Sequence, residues 1–534
     1  MSYYKDLREY IDALEEKGKL FRIKTEINKD TELSPLVRWQ YRGLDPSQRK
    51  GFLFENITDS KGRKYNSKVG ICLLGANREV YSLGLKCEEE KLWAKWALAL
   101  SNPVAPILLD GKGAPVKEEM HIGEKLQENG GLDEFPIPIM TPGFDCAPYF
   151  SAPYVVTKDP ETGIRNVGVY RLMLKGPTKC GIMVHQTKHI GIHWHKCKKL
   201  RKPLEAAVVI GALPVIGMVA SAKFPYGVDE FSVAGSMINE PVKLVKCESV
   251  DLEVPATAEI VLEGEIGTDY LEPEAPFGEY PGYMGTRAMN PVFDIKCISH
   301  RKSPIFQAFL SMFPDNEANV ISGIIREAAY FKYLRYDSNI HSVLDVGFLL
   351  TSGCYQYCVI KMKKINPSEP WQALQAANAF DPALCKIIVA VDDDIDPRDP
   401  ASVNWALSFR MQPHLDILIT QGKVSDLDPS AAPPDTPTYE SRFPKPRGTS
   451  AILIDATRKW NYPPVSLPTR NLMERAKEIW EKENLPKLSP REPWFGYSLG
   501  GYWPEEYEKE AEDAVNGNYY LTGDKLAKEG IKVD

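Results

Sequence analysis

Apolar positions along this chain change period twice. Near the start, Leu7, Tyr10, Ile11 and Leu14 recur at the spacing of one helix face, with Asp6 placed to cap the helix and Gly18 to end it. A mixture of strands and helices follows to about Pro115, including an apolar helix over 93–100. From about residue 116 to 320, short Val/Ile-rich runs (152–156, 181–184, 207–210, 258–262) alternate with Gly and Pro. Strands bounded in this way predict a barrel-like β domain with insertions. After Pro314 the pattern becomes α/β: helical stretches over 318–334 and 370–379 alternate with buried strand candidates at 386–391, 417–419 and 451–454. Six prolines between Pro429 and Pro446 predict a long ordered loop or linker. A helix from about Arg470 to Glu483 carries Leu472, Ala476, Ile479 and Trp480 on one face. The last fifty residues hold Trp494, Phe495, Tyr497, Tyr502, Trp503, Tyr507, Tyr519 and Tyr520. That aromatic density is too high for a disordered tail and predicts packing on the body or on a neighbouring subunit.

Composition narrows the class. At 534 residues the chain suits two or three domains, and 43% hydrophobic with 26% charged is ordinary for a globular protein. A net charge of −7 argues against a general nucleic-acid binder. Ten cysteines lack the density of a disulfide scaffold, and the isolated pair Cys354 and Cys358 reads as structural. No apolar signal core opens the chain, and the longest uncharged run, 206–222, is short for a membrane span and is broken by Gly211, Pro214 and Gly217. These features predict a reduced cytoplasmic protein.

The chemistry concentrates in Glu274-Ala-Pro-Phe-Gly-Glu279 and, a hundred residues upstream, Asn166-Val-Gly-Val-Tyr-Arg171. Two carboxylates on a Pro/Gly-broken segment are not ordinary solvated helix charges. An arginine from elsewhere can hold one ionised through a bidentate pair, while a less polar setting raises the pKa of the other. Similar side chains then supply a fixed charge and a proton donor. Four of the eight histidines, His185, His189, His193 and His195, lie close together; the first, second and third share a face if the segment is helical. They raise a zinc-site alternative, although no HExxH motif or carboxylate falls within the cluster. Lys188, Lys196, Lys198, Lys199, Arg201 and Lys202 surround it as a solvated face or an anion-attracting one. Asp392, Asp393 and Asp394 read as a solvated turn at a strand end.

Taken in order, the 166–171 motif, Lys188-His189-Ile, Gly227-Val-Asp-Glu230, Pro255-Ala-Thr-Ala-Glu and the 274–279 motif resemble the UbiD family. Its members are reversible decarboxylases of aromatic and α,β-unsaturated acids that use prenylated FMN. The Gly-Lys-Leu exit of the opening helix, the 386–397 strand with its acidic turn and Asp455-Ala-Thr457 extend the resemblance over nearly the whole chain. The fold implied is α/β (α+β, multidomain): an N-terminal α/β domain (1–115), a split β-barrel flavin domain (116–320), a C-terminal α/β oligomerisation domain (321–484) and an aromatic-rich tail (485–534).

The resemblance implies that Asn166, His189 and Glu230 hold a divalent metal, often manganese, that clamps the flavin phosphate. A hard ion of this kind accepts amide and carboxylate oxygens and tolerates one imidazole. It implies a potassium ion near the backbone of Ser221 and Ala222, cofactor contacts from Val169, Tyr170, Arg171, Lys188, Ala220 and Ser221, and a flavin-directed Lys386. Arg171, Glu274 and Glu279 correspond to the catalytic Glu-Arg-Glu network, with Glu279 as proton donor. The family commonly carries Gln before the metal-binding histidine where this chain has Lys188; His193 and His195 lie close by, and the spacing to Arg171 favours His189. Further implications are a flavin prenyltransferase supplying the cofactor and assembly as a homo-oligomer, dimer or hexamer. The substrate class is a small aromatic carboxylic acid, with an aromatic acyl-CoA thioester such as phthaloyl-CoA as an alternative. Readings from other classes are a metal-dependent hydrolase built on His185–His195 and a non-catalytic scaffold; the intact Arg171, Glu274 and Glu279 disfavour the scaffold.

Overall fold

The computed structural model describes residues 2–423, 427–431, 449–499 and 503–532. Pro433, Pro434, Pro437, Pro444 and Pro446 of the expected linker, and Tyr502 of the tail, lie outside the described residues.

The opening helix spans Leu7–Glu16; the Asp6 side chain accepts from the Glu9 amide, and Leu7, Tyr10, Ile11 and Leu14 are buried. It stands beside a four-stranded sheet ordered Leu20–Ile23, Gly51–Phe54, Lys68–Ile71 and Ile305–Ala308. The last of these strands is a correction to the expected layout. It sits within the stretch read as barrel, yet it pairs in parallel with Lys68–Ile71 and so stitches the end of the middle region to the N-terminal sheet. A single apolar core accordingly runs from the opening helix through both sheets.

The middle region is a nine-stranded sheet curled into a half-barrel. Its backbone is the long antiparallel hairpin of Ile260–Glu274 and Ala288–His300. Register shifts at Glu263/Gly264 and Ile266/Leu271 bend and twist the ladder, as bulges do. Gly264 is required at the first of them, since a Cβ there would meet the Asp294 carbonyl oxygen at 2.0 Å. Beyond Ile260–Glu274 lie Leu204–Ile210, Tyr154–Lys158 and Arg165–Val169. On the other side, Ala288–His300 pairs in its middle, at Val292–Asp294, with Lys179–Ile182 and at its C-terminal end with Glu119–Ile122. Three helices, His189–Lys199, Pro214–Ala220 and Glu230–Ile238, pack at the Arg165–Val169 edge.

The C-terminal sheet is ordered Val343–Phe348, Tyr357–Met362, Ile387–Val391, Thr449–Ala456 and Ile417–Lys423, with the three inner strands parallel. Separate apolar clusters cover its two faces, which is why Ile387–Val391 reads as an uninterrupted apolar run. The 417–419 run is not a buried strand: it opens the edge strand, and Ile419 is 68% exposed. A short apolar run looks the same in sequence at the centre or the rim of a sheet. The acidic triplet also differs from expectation. Asp392 is buried and pairs with Arg410 at 2.9 Å, and Asp394 pairs with the same guanidinium at 2.6 Å. The expected 470–483 helix forms as Arg470–Lys482, but Leu472 and Ile479 stay exposed. The tail divides: Tyr497 hydrogen-bonds to Asp394 on the body, while Trp503, Tyr507, Tyr519 and Tyr520 are exposed. All ten cysteines are free thiols.

Candidate active site

Glu274 ends the first strand of the long hairpin and Ala288, its partner in register, begins the second. The chain between them folds back on itself, with Gly278 bridged to Met284 and the Gly285 amide bonded to the Phe277 carbonyl at 2.8 Å. Gly278 is needed here because a Cβ would lie 2.5 Å from Cγ of Met312. This tight turn aims Glu279 back toward Glu274. Arg171, at the junction of Arg165–Val169 and Leu172–Gly176, inserts between the two. Its Nε donates to Glu274 Oε1 at 2.9 Å and its Nη2 to Glu274 Oε2 at 3.2 Å, while Nη1 donates to Glu279 Oε1. The guanidinium also lies 5.0 Å from the centre of the Phe277 ring.

The two carboxyl groups differ in support. Glu274 is 1% exposed, takes the fork of the arginine and accepts from Asn290 Nδ2 at 2.6 Å. Glu279 has one contact to Arg171, and burial raises its pKa above the ordinary glutamate value despite the opposing pull of that cation. Burial works against the charge of Arg171, but Glu279 and Glu274 outweigh it and hold the guanidinium ionised. The geometry therefore sets a carboxylate held by both prongs of the guanidinium beside a buried carboxyl with a single cationic contact and a raised pKa.

Beside this trio a second group gathers at the Arg165–Val169 edge. Asn166 Oδ1 lies 3.0 Å from His189 Nδ1, and Glu230 Oε1 lies 3.9 Å from the same nitrogen. His189 and Glu230 are the first residues of their helices, and the Val167 amide donates to Glu230 Oε2 at 2.8 Å. Burial pushes Glu230 up to about 8 and lowers His189, with Lys188 and Lys223 adding to the second effect. An amide oxygen, a neutral imidazole and a buried carboxyl without a cationic partner fit a hard divalent ion. Asn166 and His189 line a small cleft with Asp159, His193 and Tyr226.

The remaining expected residues fall in several places. Tyr170 places its hydroxyl 3.4 Å from Asn166 Nδ2, and burial raises it to about 12. Val169 is half-buried on the same strand, and Lys188 is exposed immediately before the helix that His189 opens. Ala220 is buried, and Ser221 follows it with its hydroxyl donating to the Gly217 carbonyl at 2.8 Å; half-buried Ala222 comes next. Lys386 lines a different cleft, with Gln356, Lys423 and Thr449, and its ammonium donates to Asp428 at 2.8 Å and Ser430 at 2.7 Å. The histidine cluster does not form one face, because the helix starts at His189 and leaves His185 in the turn before it. His193 bonds to the Thr157 hydroxyl at 2.9 Å, and burial lowers it to about 4. His195 stands against Trp194.

Two residues escaped sequence reasoning. Asp145 packs under the 277–285 turn, accepts from the Thr141 amide at 2.7 Å, and is raised to about 6 by burial close to Arg171. Its Oδ1 is buried without a hydrogen-bond partner. Asn290, which steadies Glu274, looks in sequence like any polar position of a strand. Neither carries a local signal.

Comparison with known proteins decides the family. A profile described as 3-octaprenyl-4-hydroxybenzoate carboxy-lyase Rift-related domain matches residues 108–314, and the corresponding C-terminal domain matches 319–456. The chain belongs to the UbiD family. It is a carboxy-lyase of that family, which leaves the hydrolase alternative without support. The UbiD-class enzyme HmfF from Pelotomaculum thermopropionicum, in an evolved dimeric form in complex with prFMN, is 32% identical, with a TM-score of 0.75 over 87% of this chain and 97% of that one. The vanillic acid decarboxylase of Sedimentibacter hydroxybenzoicus in its open form is 25% identical, with a TM-score of 0.75 over 91% of this chain and 100% of that one. The phenolic acid decarboxylase of Bacillus subtilis is 28% identical over 464 residues, covering 80% of this chain and 90% of the relative. Among the described residues no helix is long and apolar enough to cross a membrane.

Proposed function

We propose that this UbiD-family decarboxylase removes CO2 reversibly from an aromatic or α,β-unsaturated carboxylic acid, using prenylated FMN bound in the half-barrel region of about 116–320. The observation that carries this reading is the meeting of Arg171 with Glu274 and Glu279 at the end of the long hairpin. Support for the cofactor comes from the prFMN complex of HmfF and from the donor set of Asn166, His189 and Glu230. That set would hold a divalent ion, manganese in our assignment, against the flavin phosphate. Potassium would sit at the backbone of Ser221 and Ala222, and Val169, Tyr170, Lys188 and Ala220 would border the cofactor. Lys386 would reach it only after leaving Asp428.

Loss of CO2 from an sp2 carbon strands an electron pair in the plane of the ring or double bond. The bound cofactor supplies an electrophilic centre that can accept that pair. The chain's residues do the placement and proton handling. Arg171 is kept cationic by Glu274 and orients the substrate carboxylate. As the carbon–carbon bond breaks and CO2 leaves, Glu279 hands its proton to the carbon that lost the carboxyl group. In the carboxylation direction the same carboxylate takes that proton back.

A second reading, an aromatic acyl-CoA thioester such as phthaloyl-CoA, is favoured by the cations Lys188 and Lys223 beside His189, which suit an anionic tail. Coexpression with a flavin prenyltransferase, followed by CO2 release from free aromatic acids and from their CoA thioesters, tests both. Turnover of a free acid supports the first and turnover of thioesters alone the second. A flavin-loaded protein that turns over neither refutes the function. We also assign a homo-oligomer, dimer or hexamer, to be checked by light scattering.

A further inference from the structure

A separate cluster lies at the opposite end of the long hairpin. His300 ends the strand Ala288–His300, and His121 belongs to Glu119–Ile122, which pairs with that end. His121 is in register with Ile298, so the two histidines are diagonal neighbours on one face of the ladder. Their Nε2 atoms lie 3.3 Å apart. The segment Gly123–Glu134 then folds back, anchored by the Leu132 amide on the Pro177 carbonyl at 2.7 Å. It brings Glu134 Oε2 to 3.6 Å from His121 Nε2 and Glu134 Oε1 to 3.7 Å from His300 Nε2. The two histidines are 7% and 4% exposed, and Phe135 closes one side edge-on to His300.

We propose that His121, His300 and Glu134 bind zinc and clamp the 119–134 segment to the half-barrel. The 3.3 Å between the two Nε2 atoms fits the ion, and Glu134 turns one oxygen toward each ring. A tetrahedral site with bonds of about 2.0–2.1 Å sets its ligand atoms about 3.3 Å apart, whereas an octahedral magnesium site sets them about 2.9 Å apart. Two imidazoles and a carboxylate are also a zinc donor set, with room for a water as fourth ligand. The protonation pattern points the same way. His300 Nδ1 faces the Arg301 carbonyl at 2.9 Å, which can only accept, so that nitrogen carries the proton and Nε2 is bare. His121 Nδ1 is buried without a hydrogen-bond partner and has Glu128 Oε2 at 3.7 Å. With its proton on Nδ1, directed at that carboxylate, His121 leaves a second bare Nε2 facing the first. With the proton on Nε2, a lone pair is buried opposite the carboxylate. A cation between the two Nε2 atoms removes both difficulties and makes Glu128 the outer carboxylate that metal-bound histidines commonly have.

The test uses the full-length protein purified without the prenyltransferase, in wild type and in Glu230→Gln, where the set proposed for the flavin metal is disabled. After supply of zinc and dialysis, elemental analysis is expected to find one zinc per chain retained in Glu230→Gln. Added to Glu230→Gln, Glu134→Gln at the half-buried ligand should keep the circular dichroism of the parent and weaken zinc affinity at least tenfold; His121→Gln with His300→Gln in the same background should abolish it. A cobalt titration of Glu230→Gln should give visible bands that weaken at least tenfold in apparent affinity when Glu134→Gln is added to it. No retained zinc in Glu230→Gln, or equal retention in the Glu134 variant, overturns the proposal and means that a proton alone bridges the rings. Either result leaves the decarboxylase reading untouched.

Discussion

Glu279→Gln separates chemistry from architecture. In the structure Arg171 keeps both bonds to Glu274, at 2.9 and 3.2 Å, when Glu279 loses its charge, so no buried cation is orphaned. The turn carrying residue 279 is held by backbone bonds, from the Glu279 amide to the Tyr283 carbonyl at 2.9 Å and from the Gly282 amide to the Glu279 carbonyl at 3.0 Å. An isosteric amide should therefore cost less than about 1 kcal/mol of stability. The amide has no proton of suitable acidity to give. Removing a general acid costs roughly 10² to 10⁴ in rate, which at about 1.36 kcal/mol per decade is about 3–5 kcal/mol of transition-state free energy. The assay is CO2 release under saturating substrate, together with deuterium incorporation into the product in D2O. Both rates should fall together, with flavin content and melting temperature unchanged. Activity within tenfold of wild type would refute the assignment of the proton donor.

Four other outcomes follow from the same geometry. Burial raises the Glu279 pKa, so decarboxylation should persist below that value and be lost as pH rises through it, with the limb of the kcat profile above the ordinary glutamate value of about 4.3; a limb at 4.3 contradicts the site. Arg171→Ala strips the fork from a carboxylate that is 1% exposed, and urea unfolding should show a loss of about 3–5 kcal/mol that Glu274→Gln in the same chain largely restores. Gly278→Ala drives a Cβ to 2.5 Å from Met312 and should cost about 1–3 kcal/mol while lowering kcat by displacing Glu279, read by thermal melts and turnover. Asp145→Asn should shift the inflection of the activity profile near pH 6 without preventing flavin binding, since burial raises Asp145 to about 6 close to Arg171; a profile unchanged by the substitution contradicts this.

What was legible in the sequence was periodic or ordered along the chain. The opening helix and the Ile387–Val391 strand announce themselves because burial of one face or of two leaves a regular apolar record. Arg171, Glu274 and Glu279 were legible as motifs, and the structure brings them within hydrogen-bond reach. What failed depends on neighbours distant in sequence. Nothing local tells that Ile305–Ala308 leaves the half-barrel for the N-terminal sheet, or that Arg410 is waiting to neutralise Asp392 and Asp394. The histidine run at 185–195 drew attention by density, whereas His121 and His300, 179 residues apart, approach only through strand pairing. Asp145 and Asn290 were invisible for the same reason: each matters through the carboxylate or guanidinium that the fold sets beside it.

In the function proposed, Arg171 and the two glutamates face a flavin whose phosphate is tied by metal to Asn166, His189 and Glu230. A crystal structure of the protein coexpressed with a flavin prenyltransferase, with anomalous maps for the metal, tests it most directly. The expected result is a flavin ring against Arg171 and Glu279, with an anomalous peak among Asn166, His189 and Glu230. A flavin bound elsewhere, or a ring that meets Arg171 with no metal at those three residues, would contradict it.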